Sequence, residues 1–105
     1  MKKYTVNILP QAENDLIKIA EYIANDLQNP ASAVKTVQKI MRACEELGVF
    51  PRRSPILYNY KNKNLRSIHA KNYTILFHIN DATQSVEVFA ICYSRRDIAG
   101  LLKEN

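Results

Sequence analysis

Thirty consecutive residues of this chain, Pro51 to Asn80, contain no aspartate and no glutamate. The same stretch carries six cations: Arg52, Arg53, Lys61, Lys63, Arg66 and Lys71. Residues 1–50 balance six basic side chains against six acidic ones, and residues 81–105 carry three basic and four acidic. The net charge of +5 therefore arises in the middle third, which excludes an evenly basic coat. An imbalance confined to one segment makes one positive surface, and such a surface attracts a polyanion, either nucleic acid or an acidic protein. The plainer alternative is a solvated loop that lacks acids.

Other scarcities narrow the class. With two glycines and no low-complexity tract, the sequence offers no linker and no internal repeat. Its two cysteines, Cys44 and Cys92, lie far apart in apolar surroundings and fit reduced core thiols better than a disulfide. No CxxC or Cys/His spacing suggests zinc, and no cluster of His, Cys, Asp and Glu has ligand spacing, so neither metal nor cofactor is implied. No apolar run approaches the roughly 20 residues needed to cross a bilayer. Met1-Lys2-Lys3 has the charge of a signal peptide, but Asn7, Gln11, Glu13, Asn14 and Asp15 break up any apolar h-region. A cytoplasmic protein without membrane contact is expected. A chain of 105 residues, 47% hydrophobic, supports one core, so residues 1–105 are expected to form a single domain.

Periodicity predicts the elements. From Lys3 to Leu9, Tyr4, Val6 and Ile8 alternate with Lys3, Thr5 and Asn7, as in a half-buried strand. Pro10 suits a first helical position, and Ala12, Leu16, Ile19, Ala20, Ile23 and Leu27 form one helical stripe behind it. Glu13 and Asp15 are expected in the first turn of this helix, where the helix dipole favours negative charge. Asn29-Pro30 begins a second helix, with the stripe Ala33, Val34, Val37, Ile40, Met41, Cys44 and Leu47 and with Gly48 as a left-handed stop. Two such helices make an antiparallel hairpin, whose stripes read first as core and second as a partner-binding face.

Pro51 and Pro55 predict an irregular stretch. Strands are predicted over 65–70, 73–79 and 85–93, with Asn80 to Gln84 as a hairpin loop. In the second, Tyr73, Ile75, Phe77 and Ile79 alternate with Thr74, Leu76 and His78; in the third, Val86, Val88 and Ala90 alternate with Glu87, Phe89 and Ile91. Asp97 to Leu102 can add a short helical tail with Ile98, Leu101 and Leu102 on its apolar side. The expected fold is α+β: an antiparallel sheet in β-α-α-β-β-β order packed on an N-terminal helical hairpin. The other sheet face can be open, bordered by the basic segment.

Several stretches, in order, resemble the RelE/ParE toxin superfamily of bacterial type II toxin–antitoxin pairs. They are Tyr4-Thr5-Val6, Pro10-Gln11-Ala12, Asp15-Leu16, Ile19-Ala20, Tyr22-Ile23, Pro30 to Ala33, Leu47 to Pro51, Leu65-Arg66, Tyr73-Thr74-Ile75 and Tyr93-Ser94-Arg95-Arg96-Asp97. The resemblance runs over nearly the whole chain and is carried by order and spacing, since each motif alone is weak. It implies a growth inhibitor neutralised by a cognate acidic antitoxin that is partly disordered when alone. One branch of the superfamily cuts mRNA in the ribosomal A site, and the other inhibits DNA gyrase. Fold alone does not separate them.

A metal-free ribonuclease needs a base for the 2′-hydroxyl, cations for the developing charge and a proton source for the leaving oxygen. Tyr60-Lys61-Asn62-Lys63-Asn64-Leu65-Arg66-Ser67 resembles the lysine-rich strand of the ribosome-dependent branch, with one extra residue before Leu65. Lys61 and Lys63, two apart on a strand, would flank a phosphate that Arg66 holds bidentately. Arg95 or Arg96 would add charge, and Tyr93 or His69 would move a proton. His69 and His78 read first as ordinary strand residues, on the solvated face or in packing, and second as groups that could move a proton. Two parts of the nuclease pattern are missing: Thr74 stands where an arginine is expected, and no tyrosine follows Tyr93.

The tail Ile91-Cys92-Tyr93-Ser94-Arg95-Arg96-Asp97-Ile98 is closer to the gyrase-inhibiting branch, with Tyr93 in place of a histidine. Asp97 as a helix cap with Arg96 paired to a carboxylate is the structural alternative for that motif. The balance favours the gyrase-type branch, with the nuclease as the alternative and a non-toxic antitoxin-binding module as a third. Candidate target-binding residues are Arg52, Arg53, Lys61, Lys63, Arg66, Lys71, Arg95 and Arg96. Catalytic candidates, if there is chemistry, are Lys61, Lys63, Arg66, His69, Tyr93 and Arg95.

Overall fold

The computed structural model describes residues 3–93. Strand β1 (Thr5–Ile8) leads into helix α1 (Pro10–Glu21), which widens into a π-helical turn over Tyr22–Asp26. Helix α2 (Pro30–Glu46) returns alongside, and a 3₁₀ turn at Pro51–Arg53 precedes four strands: β2 (Ile56–Tyr60), β3 (Lys63–Ala70), β4 (Tyr73–Asn80) and β5 (Ser85–Tyr93). The architecture is α+β, with the helical hairpin on one face of the sheet. The helical tail expected over 97–102 lies outside the described residues.

The helix starts arise from local chemistry. Pro10 and Pro30 sit in the first turns, where a missing N–H costs nothing, and the Asn29 side chain accepts the N–H of Ser32 at 3.1 Å. The end of α1 differs from the regular stripe. Its last turn closes with Leu27 N–H donating to the Tyr22 carbonyl at 3.1 Å, five residues back. One inserted residue rotates the chain beyond it by about 100°, so Leu27 is 56% exposed instead of joining Ile23 in the core. On α2, Val34 is likewise turned out, and Thr36 takes a buried place beside Ala33, Ile40 and Cys44.

The left-handed stop expected at Gly48 falls two residues later, on Phe50 at φ 54° and ψ 52°. Gly48 serves closeness instead. Its carbonyl accepts the Tyr4 N–H at 2.8 Å, and an added Cβ would stand 2.9 Å from the Tyr4 carbonyl oxygen.

The sheet has five strands in the order β1-β5-β4-β3-β2. Two features depart from the expected meander. Residues 56–60, expected to be irregular, form the edge strand β2, with an irregular register between Ile56 and Tyr58. Strand β1 pairs with β5 in parallel, Thr5 opposite Ser85 through Ile8 opposite Val88, so the sheet is mixed. A parallel pair needs a crossover, and here the hairpin and three strands separate the partners in sequence.

The core fills the space between hairpin and sheet, where Ala12, Leu16, Ile40, Cys44 and Leu47 meet Tyr73, Ile75, Phe77, Val86, Val88 and Ile91. Full burial of a side chain such as Phe77 contributes about 1.5–3 kcal/mol. A smaller cluster, Leu76, Ala90 and Cys92 with Leu57 and Phe89, occupies the opposite face. The alternation expected along β5 breaks because Phe77 pairs with Val88 while Leu76 pairs with Ala90, which leaves Phe89 as the extra residue of a bulge. The bulge sends Ala90 to the smaller cluster and Ile91 to the main core.

Two-residue turns join β2 to β3 and β3 to β4. In the first, Lys61 and Asn62 have φ of 49° and 66°, the paired positive values of a type I′ turn. In the second, Lys71 takes φ 54°.

Candidate functional site

The six cations of the acid-free segment are spread over the 3₁₀ turn, strand β3 and the turns at its two ends. Lys61 occupies the β2–β3 turn with its Nζ 5.4 Å from the centre of the Tyr60 ring, while Lys63 begins β3. They are therefore not strand neighbours two apart, because the chain reverses between them. Along β3, alternation puts Lys63, Leu65, Ser67 and His69 on one face and Arg66, Ile68 and Ala70 on the other. Ile68 and Ala70 pack against the main core, so Arg66 shares the hairpin side. The expected cradle of Lys61, Lys63 and Arg66 around one phosphate does not form in this arrangement.

Arg66 is half-buried, and its Nη1 donates to the Ser54 carbonyl, bracing the segment between α2 and β2. Arg52 donates to Tyr4 Oη at 2.9 Å and forms an ion pair with Asp81. Its guanidinium is held more firmly protonated by the Asp81 carboxylate and then by Tyr4. Both partners of the pair are at least half exposed, so water screens it and it adds little stability. Arg53 is exposed. Lys71 stands in the β3–β4 turn, at the opposite end of β3 from Lys63, about 26 Å away along the strand. Its Nζ reaches Thr36 Oγ1 at 3.5 Å.

His69 is exposed, with Nδ1 3.2 Å from the hydroxyl of Thr74. Thr74, at the position where the nuclease pattern expects arginine, is buried and bonded to this imidazole. His78 is half-buried, and its Nδ1 has no hydrogen-bond partner among the described residues. Lys63 and His69 share a face but lie six residues apart, about 20 Å, which is too far to act on one phosphate. Arg95 and Arg96 lie outside the described residues. Among the described residues, no group of three or more His, Cys, Asp or Glu can hold a metal ion.

A different site is brought together at the other end of the molecule. The end of α1, its π-turn, the first turns of α2 and the β3–β4 turn enclose a groove of about 650 Å³. Tyr22, Leu27, Tyr73 and Tyr93 give it an apolar, aromatic lining, and Lys18 and Lys71 add positive charge. Tyr73 and Tyr93 meet edge to face, with centroids 5.5 Å apart. Burial, then Tyr93 and Tyr22, push the Tyr73 hydroxyl above its ordinary value, so it stays neutral at physiological pH. Tyr22, Leu27 and Tyr93 are each more than half exposed, which leaves a wide apolar surface without a partner among the described residues. Chemically, the groove suits an amphipathic segment carrying acidic side chains. Lys71 and Tyr93 were legible as candidates. Leu27 was legible only within a stripe read first as core, because the π-turn that exposes it leaves no mark in the sequence, and Tyr22 and Lys18 were not among the candidates.

Comparison with known proteins gives the family and the fold. The family model described as ParE toxin of type II toxin–antitoxin system, parDE, matches residues 6–98, which span the hairpin and nearly the whole sheet. Among solved structures, the chromosomal ParDE system from P. aeruginosa aligns with a TM-score of 0.72 at 16% identity, over 89% of this chain and 98% of that one. The RelBE2 toxin–antitoxin complex from Mycobacterium tuberculosis aligns with a TM-score of 0.61 at 20% identity, over 89% of this chain and 93% of that one. At such identities these likenesses carry the fold. No curated protein matches the sequence significantly.

Proposed function

The chain belongs to the ParE toxin family of type II toxin–antitoxin systems, and on that premise we propose that it arrests growth by binding DNA gyrase and is silenced by an acidic antitoxin. The observation that carries this reading is the span of the family match, residues 6–98. The site geometry supports it from the other side. A ribosome-dependent nuclease needs cations and a base around one phosphate. Among the described residues, Lys61 sits in a turn, Lys63 and Arg66 take opposite faces of β3, and His69 bonds to Thr74.

The groove beside the hairpin is the proposed antitoxin seat. Its tyrosines and Leu27 offer apolar area to one side of an amphipathic segment, and Lys18 and Lys71 meet acidic side chains on the other. Lys61, Lys63, Arg66, Arg95 and Arg96 are proposed as target-binding residues, with the positive surface steering association toward an acidic protein. On this reading the chain acts as one domain in the cytoplasm. Among the described residues, no helix is long and apolar enough to cross a membrane.

The test is a gyrase supercoiling reaction titrated with purified protein, run beside a reconstituted translation reaction in which primer extension reads a reporter mRNA. Loss of supercoiling with intact message is expected. Cuts that appear only with ribosomes, and undiminished supercoiling, would replace the gyrase reading with the nuclease. Expression without growth arrest would leave the antitoxin-pairing module.

A further inference from the structure

Phe50 is the sole aromatic among the six described non-glycine residues with positive φ. It also precedes Pro51, and a residue before proline is driven toward extended backbone. A left-handed phenylalanine there is disfavoured twice, yet its surroundings fix it. Val49 bridges to Lys3, and Tyr4 donates to the Gly48 carbonyl at 2.8 Å. Pro51 is buried, and Arg52 is tied to Tyr4 and Asp81. Arg53 N–H closes the turn on the Phe50 carbonyl at 3.2 Å. All this holds a side chain that joins no core cluster among the described residues and is 57% exposed. Strain kept by a braced frame, with an apolar side chain facing solvent, is the signature of a contact made with something else.

We propose that Phe50 and Arg53 form the anchor by which this toxin docks on its protein target, an acidic surface with an apolar pocket. The proposal rests on the reading that the chain acts on a protein. Aromatic and arginine side chains are the usual centres of binding energy at protein interfaces. Arg53 is exposed with no side-chain partner among the described residues, and Ile56, at the start of β2, is 49% exposed. A nucleic acid would require several cations along a track, and here the exposed carboxylate of Asp81 lies against Arg52 and opposes a phosphate. The antitoxin groove lies elsewhere. It is lined by Ser32 and Thr36 near the start of α2, whereas Phe50 comes after its end, beyond Glu46, which is about 15 Å along the helix from Thr36.

The experiment expresses full-length wild type, Phe50→Gly and Arg53→Glu, each without antitoxin, at matched levels. It reads growth arrest, inhibition of purified gyrase and the thermal midpoint. Glycine relieves the left-handed strain, so Phe50→Gly is expected to melt no lower than wild type while requiring at least about tenfold more protein for inhibition. Arg53→Glu, on an exposed loop, is expected to fold normally and lose a similar factor. Folded variants that arrest growth as wild type does would overturn the anchor, since a surface used only by the antitoxin would leave toxicity unchanged. Wild type that arrests growth without inhibiting gyrase would sink the gyrase reading alone, because the growth comparison still judges Phe50 and Arg53. Wild type that leaves growth unaffected would overturn both.

Discussion

Asp15 of α1 accepts the backbone N–H of Ile91 on β5 at 2.9 Å, across 76 residues of sequence. Strand β1 ends opposite Val88, so past that point β5 has no strand neighbour on this side. The bulge at Phe89 falls in the same place, and Asp15 supplies the acceptor that a longer β1 would have supplied. Gln11 Nε2 steadies the other carboxylate oxygen at 3.3 Å. Asp15→Ala leaves that N–H unpaired and is expected to lower the unfolding free energy by about 1–3 kcal/mol. Asp15→Asn, which keeps a carbonyl acceptor, should lose less. Urea denaturation of the two variants beside wild type checks both the size and the order.

Gly48 is required for space and not for its dihedral angle, and two substitutions separate these causes. An alanine Cβ would meet the Tyr4 carbonyl oxygen at 2.9 Å and the Glu45 carbonyl oxygen at 3.3 Å. Both are backbone atoms that cannot swing aside, so Gly48→Ala is expected to cost about 1–3 kcal/mol. Gly48→Asn should cost at least as much. At a left-handed stop asparagine would instead be the better tolerated of the two. The order of the thermal midpoints decides.

What was legible in the sequence was local. Pro10, Asn29-Pro30 and two apolar stripes specify the hairpin because helix caps and a helical period lie within a few residues of one another. The alternation from Tyr73 to Ile79 specifies β4 for the same reason. Strand β2 was hidden because Pro55 precedes it and the irregular register at Leu57 removes its alternation. The bulge at Phe89 and the parallel pairing of β1 with β5 depend on strands distant in sequence, which no local period encodes. The site behaved likewise. An acid-free segment announced positive charge, but a type I′ turn at Lys61-Asn62 and the strand's alternation decided where each cation went. The groove gathers residues from Lys18 to Tyr93, and its exposed Leu27 depends on a π-turn.

Burial, then the charge of Glu45, pushes the Cys44 thiol from 9.0 up to about 11. In the unfolded chain the thiol ionises near its ordinary value, whereas the folded protein holds the proton longer. Its contribution is therefore fully present below about pH 9 and is lost as pH rises toward 11. At about 1.36 kcal/mol per unit, that loss is about 3 kcal/mol at most. Tyr73, also raised by burial, acts in the same sense above its ordinary value of 10.0. Urea midpoints should fall between about pH 8 and about pH 11, and Cys44→Ala should flatten the fall by the thiol's share. An equal fall in the variant would assign the whole effect to other groups.

Arg66 joins the two ends of the proposed machinery. It lies on β3 three residues from Lys63, on the opposite face, and its Nη1 donates to the Ser54 carbonyl in the segment that carries Phe50 and Arg53. A charged donor to a half-buried carbonyl contributes about 1.5–3 kcal/mol, so Arg66→Ala should lower the melting temperature while leaving the circular dichroism spectrum that of a folded domain. Toxicity is expected to fall by a larger factor than the loss of folded protein explains, because the brace and a target-binding charge go together. Arg66→Lys retains the charge but not the planar guanidinium aimed at Ser54. It should recover part of the toxicity and little of the stability. A folded Arg66→Ala protein as toxic as wild type would remove Arg66 from the site and leave its bond to Ser54 as purely structural.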